Sequence, residues 1–296
     1  MKHSQKSIRA FKSASAPAVW VTCYDFSFAK ILNHSEVDMI LVGHSGGMVV
    51  LGYDDTSPVT VEEMLMVTAA VRRGAPEKFV VGDLPKGSYE ASDEIAIQVA
   101  MRFVKEAGCD AVKLEGAGRM VARIRALAEV GIPVIGHIGL TPQTAANFGG
   151  YSVQGRTKEG RTEILRDAKA IEEAGAFAIL VEATPPETGS EVSRNLSVPV
   201  FGIGAGPHLD GQLLILHDML GLFSAFRPKF AKCFVPDVID SFRAELSSTT
   251  NVGDYGRQTR ADGLGRLTEL AIGQYVQEVR SHVFPAAEHL YTTTRK

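Results

Sequence analysis

The sequence predicts an α/β fold, a closed (β/α)8 TIM barrel, and three observations carry that expectation. Seven or eight short apolar runs alternate with helix-patterned stretches, as in a parallel sheet. About eight such units within 296 residues favour a closed barrel over an open doubly wound sheet. No Gly-x-Gly-x-x-Gly follows the first run, and the late Gly202-Ile-Gly-Ala-Gly206 reads better as a barrel loop than as a phosphate loop.

In chain order, residues 19–24 are β-branched and aromatic, a first strand that Asp25 ends, and 26–33 has helical spacing. The second strand is 39–42, closed by Gly43-His44-Ser45-Gly46-Gly47. Thr60 with Glu63 three residues on is a capping box opening a helix over 61–73. A third strand, 79–83, precedes a helix over 92–107 that Gly108 stops. The fourth strand, 111–115, leads through Gly116 to a helix over 119–130, and the fifth, 134–137, precedes a glycine turn at Gly139. Helix 161–174 leads to the sixth strand, 177–182, which Pro185-Pro186 breaks before a short helix over 191–196. The seventh strand is 199–203, a helix is expected over 210–217, and 219–222 is the candidate eighth strand.

The barrel is expected to occupy 18–246, with 230–246 helical at its end, after a basic lead-in helix at 1–17. That lead-in resembles an organelle transit peptide in composition, but it is short and lacks a strong apolar face. A polar, glycine-containing loop insertion (247–265) and a C-terminal helix with its tail (266–296) follow.

Apolar residues make up 45% of the chain and charged residues 22%, ordinary for a globular protein. The formal net charge of −3 gives no general attraction to nucleic acid or anionic membrane. Cys23, Cys109 and Cys233 are scattered and odd in number, which suggests neither disulfides nor a zinc cluster and points to the reducing cytoplasm.

Charges fall where strands end. His44 follows the second strand, Asp83 closes the third, Lys113 and Glu115 the fourth, His137 the fifth and Glu182 the sixth. Side chains alternate along a strand, so Lys113 and Glu115 share one side, with Leu114 on the other. Opposite charges facing inward are costly unless they pair or meet a charged ligand. In a barrel these strand ends converge on one mouth, where active sites of this fold sit. Asp83 and Glu115 offer hard oxygens suited to Mg²⁺, and His44 would tilt the set towards Mn²⁺, Fe²⁺, Co²⁺ or Zn²⁺. Lys113 could clamp a substrate carboxylate, and Glu182 could act as a general base, a combination that suits enolisation next to a carbonyl. No Gly-x-Ser-x-Gly elbow supports serine-nucleophile chemistry.

Longer motifs add a family resemblance. Gly46-Gly-Met-Val-Val-Leu-Gly-Tyr53, Arg72-Arg-Gly-Ala-Pro76, Gly136-His-Ile-Gly-Leu-Thr-Pro-Gln143, Phe148-Gly-Gly-Tyr151, Val153-Gln-Gly-Arg156 and His217-Asp218 resemble the ketopantoate hydroxymethyltransferases. That family sits among the phosphoenolpyruvate mutase/isocitrate lyase-like barrels. The resemblance implies Mg²⁺-dependent addition of the one-carbon unit of 5,10-methylenetetrahydrofolate to 3-methyl-2-oxobutanoate, a step of pantothenate biosynthesis. It implies Asp83 as metal ligand and Glu115 as metal-site acid, and substrate contacts from Ser45, Lys113, Asp83 and His137. Glu182 would be the base, with His137 the other catalytic residue, and a homo-oligomer, commonly a decamer, is expected.

Four departures stand out. The usual Gly-Asp-Ser-Leu-Gly reads Gly43-His44-Ser45-Gly46-Gly47, so a metal-ligating Asp is replaced by His44 and a Leu by Gly46. Ser57 replaces another Leu and Lys86 a Phe, changes expected to widen the pocket or favour a larger or more acidic substrate. Two alternatives therefore accompany hydroxymethyl transfer: a divergent enzyme acting on another 2-oxo acid by C–C bond formation, lyase or hydrolase chemistry, and an inactive 2-oxo-acid-binding homologue.

Overall fold

A computed structural model of the chain describes residues 2–248 and 263–293. Eight parallel strands close on themselves in sequence order. They are β1 (Ala18–Thr22), β2 (Met39–Val42), β3 (Phe79–Asp83), β4 (Ala111–Glu115), β5 (Val134–Gly139), β6 (Ala178–Glu182), β7 (Val200–Ile203) and β8 (Gly211–Leu214). Each strand is almost wholly buried, because the barrel interior covers one face and the helices the other. Trp20 against Phe201 and Phe79 against Phe177 pack edge to face within this core.

Helix starts follow local chemistry. Asp25 accepts bonds from the Ser27 and Phe28 N–H groups at the head of Phe26–Asn33. Thr60 and Glu63 form the expected capping box on Val61–Gly74. Pro185-Pro186 does end β6, but Pro186 then opens Pro186–Asn195, earlier than the 191–196 expected, since proline suits the first helical position.

The eighth strand corrects the sequence reading. Gly211–Leu214 is β8, pairing with both β7 and β1, and Leu216–Leu220 is helical where 219–222 was expected to be the strand. Four residues are too few for periodicity to separate strand from helix, and barrel closure chooses.

The basic lead-in has a structural use. Helix Gln5–Arg9 buries Ile8, and Lys2, His3 and Lys12 reach Asp110, Asp38 and Asp210, which precede β4, β2 and β8. The N-terminal segment thus covers the end of the barrel where the strands begin. Helix Leu264–Arg280 clamps the wall: the Tyr275 hydroxyl donates to the Trp20 and Gln212 carbonyls, and Arg280 pairs with Asp38. Residues 249–262, most of the expected loop insertion, lie outside the described residues. Among the described residues no helix is long and apolar enough to cross a membrane.

Candidate active site

Lateral register brings the strand-end charges together. Asp83 stands beside Lys113 across β3–β4, and Glu115 stands beside His137 across β4–β5. Gly139 lies beside Glu182 across β5–β6 at positive φ, where a Cβ would sit 2.3 Å from the Glu182 carbonyl oxygen, so only glycine lets the two strands meet there. All of Asp83, Lys113, Glu115, His137 and His44 are at most 4% exposed. The sequence-level alternation placed Lys113 and Glu115 on one inward side, and the structure agrees.

The charges form a chain of contacts. His44 Nδ1 lies 2.6 Å from Asp83 Oδ2, and His44 Nε2 lies 3.2 Å from Glu115 Oε1. The His44 backbone N–H also donates to Asp83 Oδ2 at 3.1 Å. Lys113 Nζ is 2.9 Å from Asp83 Oδ1, 3.8 Å from Glu115 Oε1 and 3.2 Å from His137 Nδ1. His137 Nδ1 lies 3.3 Å from Glu115 Oε1, and its Nε2 lies 3.2 Å from Glu182 Oε2. Ser45 Oγ is 2.8 Å from the Tyr24 hydroxyl. His44, Ser45, Asp83, Lys113, His137 and Glu182 line one cavity at the barrel mouth, and Glu115 is not part of that lining.

Burial alone would raise the Asp83 carboxyl, but the facing His44 and Lys113 hold it well below the usual carboxylate range. Glu115 is likewise lowered against burial by His44, His137 and Lys113. Burial and the Lys113 charge oppose protonation of His137, yet bonds to Glu115 and Glu182 outweigh them and raise it. Several of these contacts are charge pairs rather than aligned hydrogen bonds: Asp83 Oδ1, Glu115 Oε1 and His137 Nε2 have no aligned partner.

Two residues whose roles the sequence reading did not assign hold this cluster. The Gln143 backbone N–H donates to Glu115 Oε2 at 3.0 Å, and its side chain donates to the Leu84 carbonyl at 2.8 Å. The Tyr89 hydroxyl donates to Gln143 Oε1 at 2.8 Å and accepts from the Glu115 N–H at 3.3 Å. Gln143 lay within a quoted motif, but a contact made by its backbone has no side-chain signature.

The residues do not fit the divalent metal that the resemblance implied. The expected ligands Asp83, Glu115 and His44 are brought together, but as an ion-pair cluster. The ring of His44 lies between the two carboxylates, and the Lys113 ammonium faces Asp83 Oδ1. Among the described residues no three His, Cys, Asp or Glu side chains are arranged to hold a metal ion. The orphan oxygens Asp83 Oδ1 and Glu115 Oε1 both face the Lys113 ammonium, at 2.9 and 3.8 Å, which repels a second cation.

The expected specificity positions are also corrected. Gly46, Ser57 and Lys86 do not line the cavity. Ser57 and Lys86 are exposed, and Gly46 packs against Tyr24, where a Cβ would lie 2.7 Å from the ring. The aromatic ring fills the room a larger residue would take, so the pocket is not widened there. Gly46→Leu is therefore expected to cost about 1–3 kcal/mol through overpacking, read as a lower urea midpoint. Its preference among 2-oxo acids should stay unchanged. A shifted preference with intact stability would return residue 46 to the pocket.

A closed parallel barrel with ionisable groups gathered at the C-terminal strand ends is the arrangement of a barrel enzyme, and solved structures share the fold. Phosphoenolpyruvate phosphomutase from Streptomyces platensis subsp. rosaceus superposes with a TM-score of 0.57 at 18% identity, covering 86% of this chain and 92% of that one. A phosphonopyruvate hydrolase solved with oxalate and Mg²⁺ gives 0.58 at 14% identity, covering 94% and 99%.

Sequence comparison narrows the class. The family model for ketopantoate hydroxymethyltransferase matches residues 2–248. The 3-methyl-2-oxobutanoate hydroxymethyltransferase of Alkaliphilus metalliredigens is 44% identical over 290 residues, 98% of this chain and 93% of that one. An enzyme of the same name from Thermus thermophilus is 44% identical over 288 residues, 97% and 100% respectively. The chain belongs to the ketopantoate hydroxymethyltransferase family.

Proposed function

We propose that the chain transfers a hydroxymethyl group from 5,10-methylenetetrahydrofolate to 3-methyl-2-oxobutanoate, giving ketopantoate. The observation that carries this reading is the placement of Glu182. Its side chain is 14% exposed, lines the cavity, and lies 3.2 Å from His137. A largely shielded carboxylate at the mouth, beside a buried ion-pair cluster, is the arrangement a C–H base needs.

In this mechanism Lys113 and Ser45 hold the substrate carboxylate, and Asp83 orients Lys113. Glu182 takes the C3 proton, and the electron pair of that bond moves into the enolate. The Lys113 ammonium and the His137 ring balance the charge that develops on the keto oxygen. The C3 carbon then attacks the methylene carbon of the folate. That C–C bond replaces the carbon's bond to one folate nitrogen and water replaces its bond to the other: the water's hydroxyl stays on the carbon as CH₂OH, while its remaining proton and the proton taken from C3 end on the two nitrogens of the departing tetrahydrofolate. We place the enzyme in the cytoplasm as a homo-oligomer on the family resemblance.

The divergent-substrate reading loses its main support, since Gly46, Ser57 and Lys86 stand away from the cavity. The inactive reading is opposed by the intact Lys113, His137 and Glu182 constellation. Proton–deuterium exchange at C3 of 3-methyl-2-oxobutanoate, followed by NMR in D₂O, tests the assignment. Enzyme-dependent exchange is expected without folate. Exchange absent from folded protein, with or without added divalent ions, would remove this substrate.

A further inference from the structure

We infer that His44 is a built-in replacement for a divalent cation, so that this active site works without a metal ion. The inference rests on the proposed function for its chemistry, but its geometry stands alone.

The ring of His44 is wedged between two buried carboxylates, one nitrogen 2.6 Å from Asp83 Oδ2 and the other 3.2 Å from Glu115 Oε1. A neutral imidazole has one N–H and one lone pair, so it could donate to only one of the two carboxylates, with the Gln143 amide nitrogen 3.3 Å from Nδ1. Only the imidazolium offers both carboxylates a proton. From the other side the Lys113 ammonium faces both carboxylates, 2.9 Å from Asp83 Oδ1 and 3.8 Å from Glu115 Oε1. A divalent ion placed between the carboxylates would have to displace the His44 ring and sit beside the Lys113 ammonium in a layer that is almost wholly buried, which is strongly unfavourable.

Position 44 is where the sequence resemblance expects a metal-ligating aspartate. Exchanging an aspartate and a doubly charged ion for one imidazolium leaves the local charge unchanged: −1 and +2 become +1. The substitution therefore preserves the electrostatics of the site while removing the ion. Lys113 and His44 together supply the positive potential on which enolisation depends, and the C3 proton still goes to Glu182.

The test is direct metal binding to the purified, chelator-treated wild-type protein, using Mn²⁺ and electron paramagnetic resonance. We expect no stoichiometric Mn²⁺ on the wild type and an unchanged C3 exchange rate in excess EDTA. His44→Asp restores a third carboxylate and removes the cation. It should gain at least about 100-fold in Mn²⁺ affinity, since two units of charge change beside the ion. One equivalent of Mn²⁺ bound to wild type and lost in Asp83→Asn would overturn the inference, whether or not the His44→Asp variant folds. So would exchange that EDTA abolishes and Mg²⁺ restores, although the proposed function would then stand. A wild type that neither binds Mn²⁺ nor exchanges the substrate proton supports the metal-free site and removes the assigned substrate instead.

Discussion

Glu182→Gln is expected to slow C3 proton exchange by about 10²–10⁴-fold, the usual worth of a general base. An amide keeps the shape of the carboxylate and can still bond His137, but it cannot accept the proton. Substrate affinity, measured by calorimetry, should change only a few-fold, because Lys113 and Ser45 remain. This separates the base from a residue that merely shapes the pocket. Exchange retained at the wild-type rate would transfer the role to another group in the cavity. Asp218 is the obvious next candidate, since it lines the same cavity and burial raises its carboxyl to about 6.

Lys113→Met is expected to cost about 3–5 kcal/mol of stability, the range for removing one partner of a buried ion pair. Lys113 is 1% exposed and faces Asp83 Oδ1 at 2.9 Å, so its loss removes one of the two cations that balance the buried Asp83 carboxylate. The methionine matches the stem in length and leaves packing largely intact, which isolates the charge. Urea unfolding gives the stability, and binding of 3-methyl-2-oxobutanoate should be lost as well. Adding Asp83→Asn should recover much of the stability and none of the binding. A stable single variant that still bound substrate would show that His44 alone balances the site.

The fold was readable in the sequence wherever runs were long or capped. Thr60 and Glu63 announced their helix, and the alternation of Lys113, Leu114 and Glu115 set the inward face. The eighth strand was misplaced because Gly211–Leu214 is short and owes its conformation to β7 and β1 on either side. Gly46 was misread for a similar reason. A small residue beside a site suggests space, but Tyr24, distant in sequence by more than a helix, occupies that space. Gln143 and Tyr89 carry no such signal because they act on Glu115 through a backbone N–H and a hydroxyl.

By itself the sequence determined the barrel, the family resemblance, and the set of charged residues that would meet at the strand ends. Those properties depend on periodicity, turn chemistry and strand order, which are local. Only the tertiary structure decided which charge meets which. Register across β3, β4 and β5 put Lys113 beside Asp83 and His137 beside Glu115, and the turn after β2 swung His44 between the two carboxylates. Pairing of buried charges depends on separations of a few ångströms between distant segments, and those are set when the sheet closes.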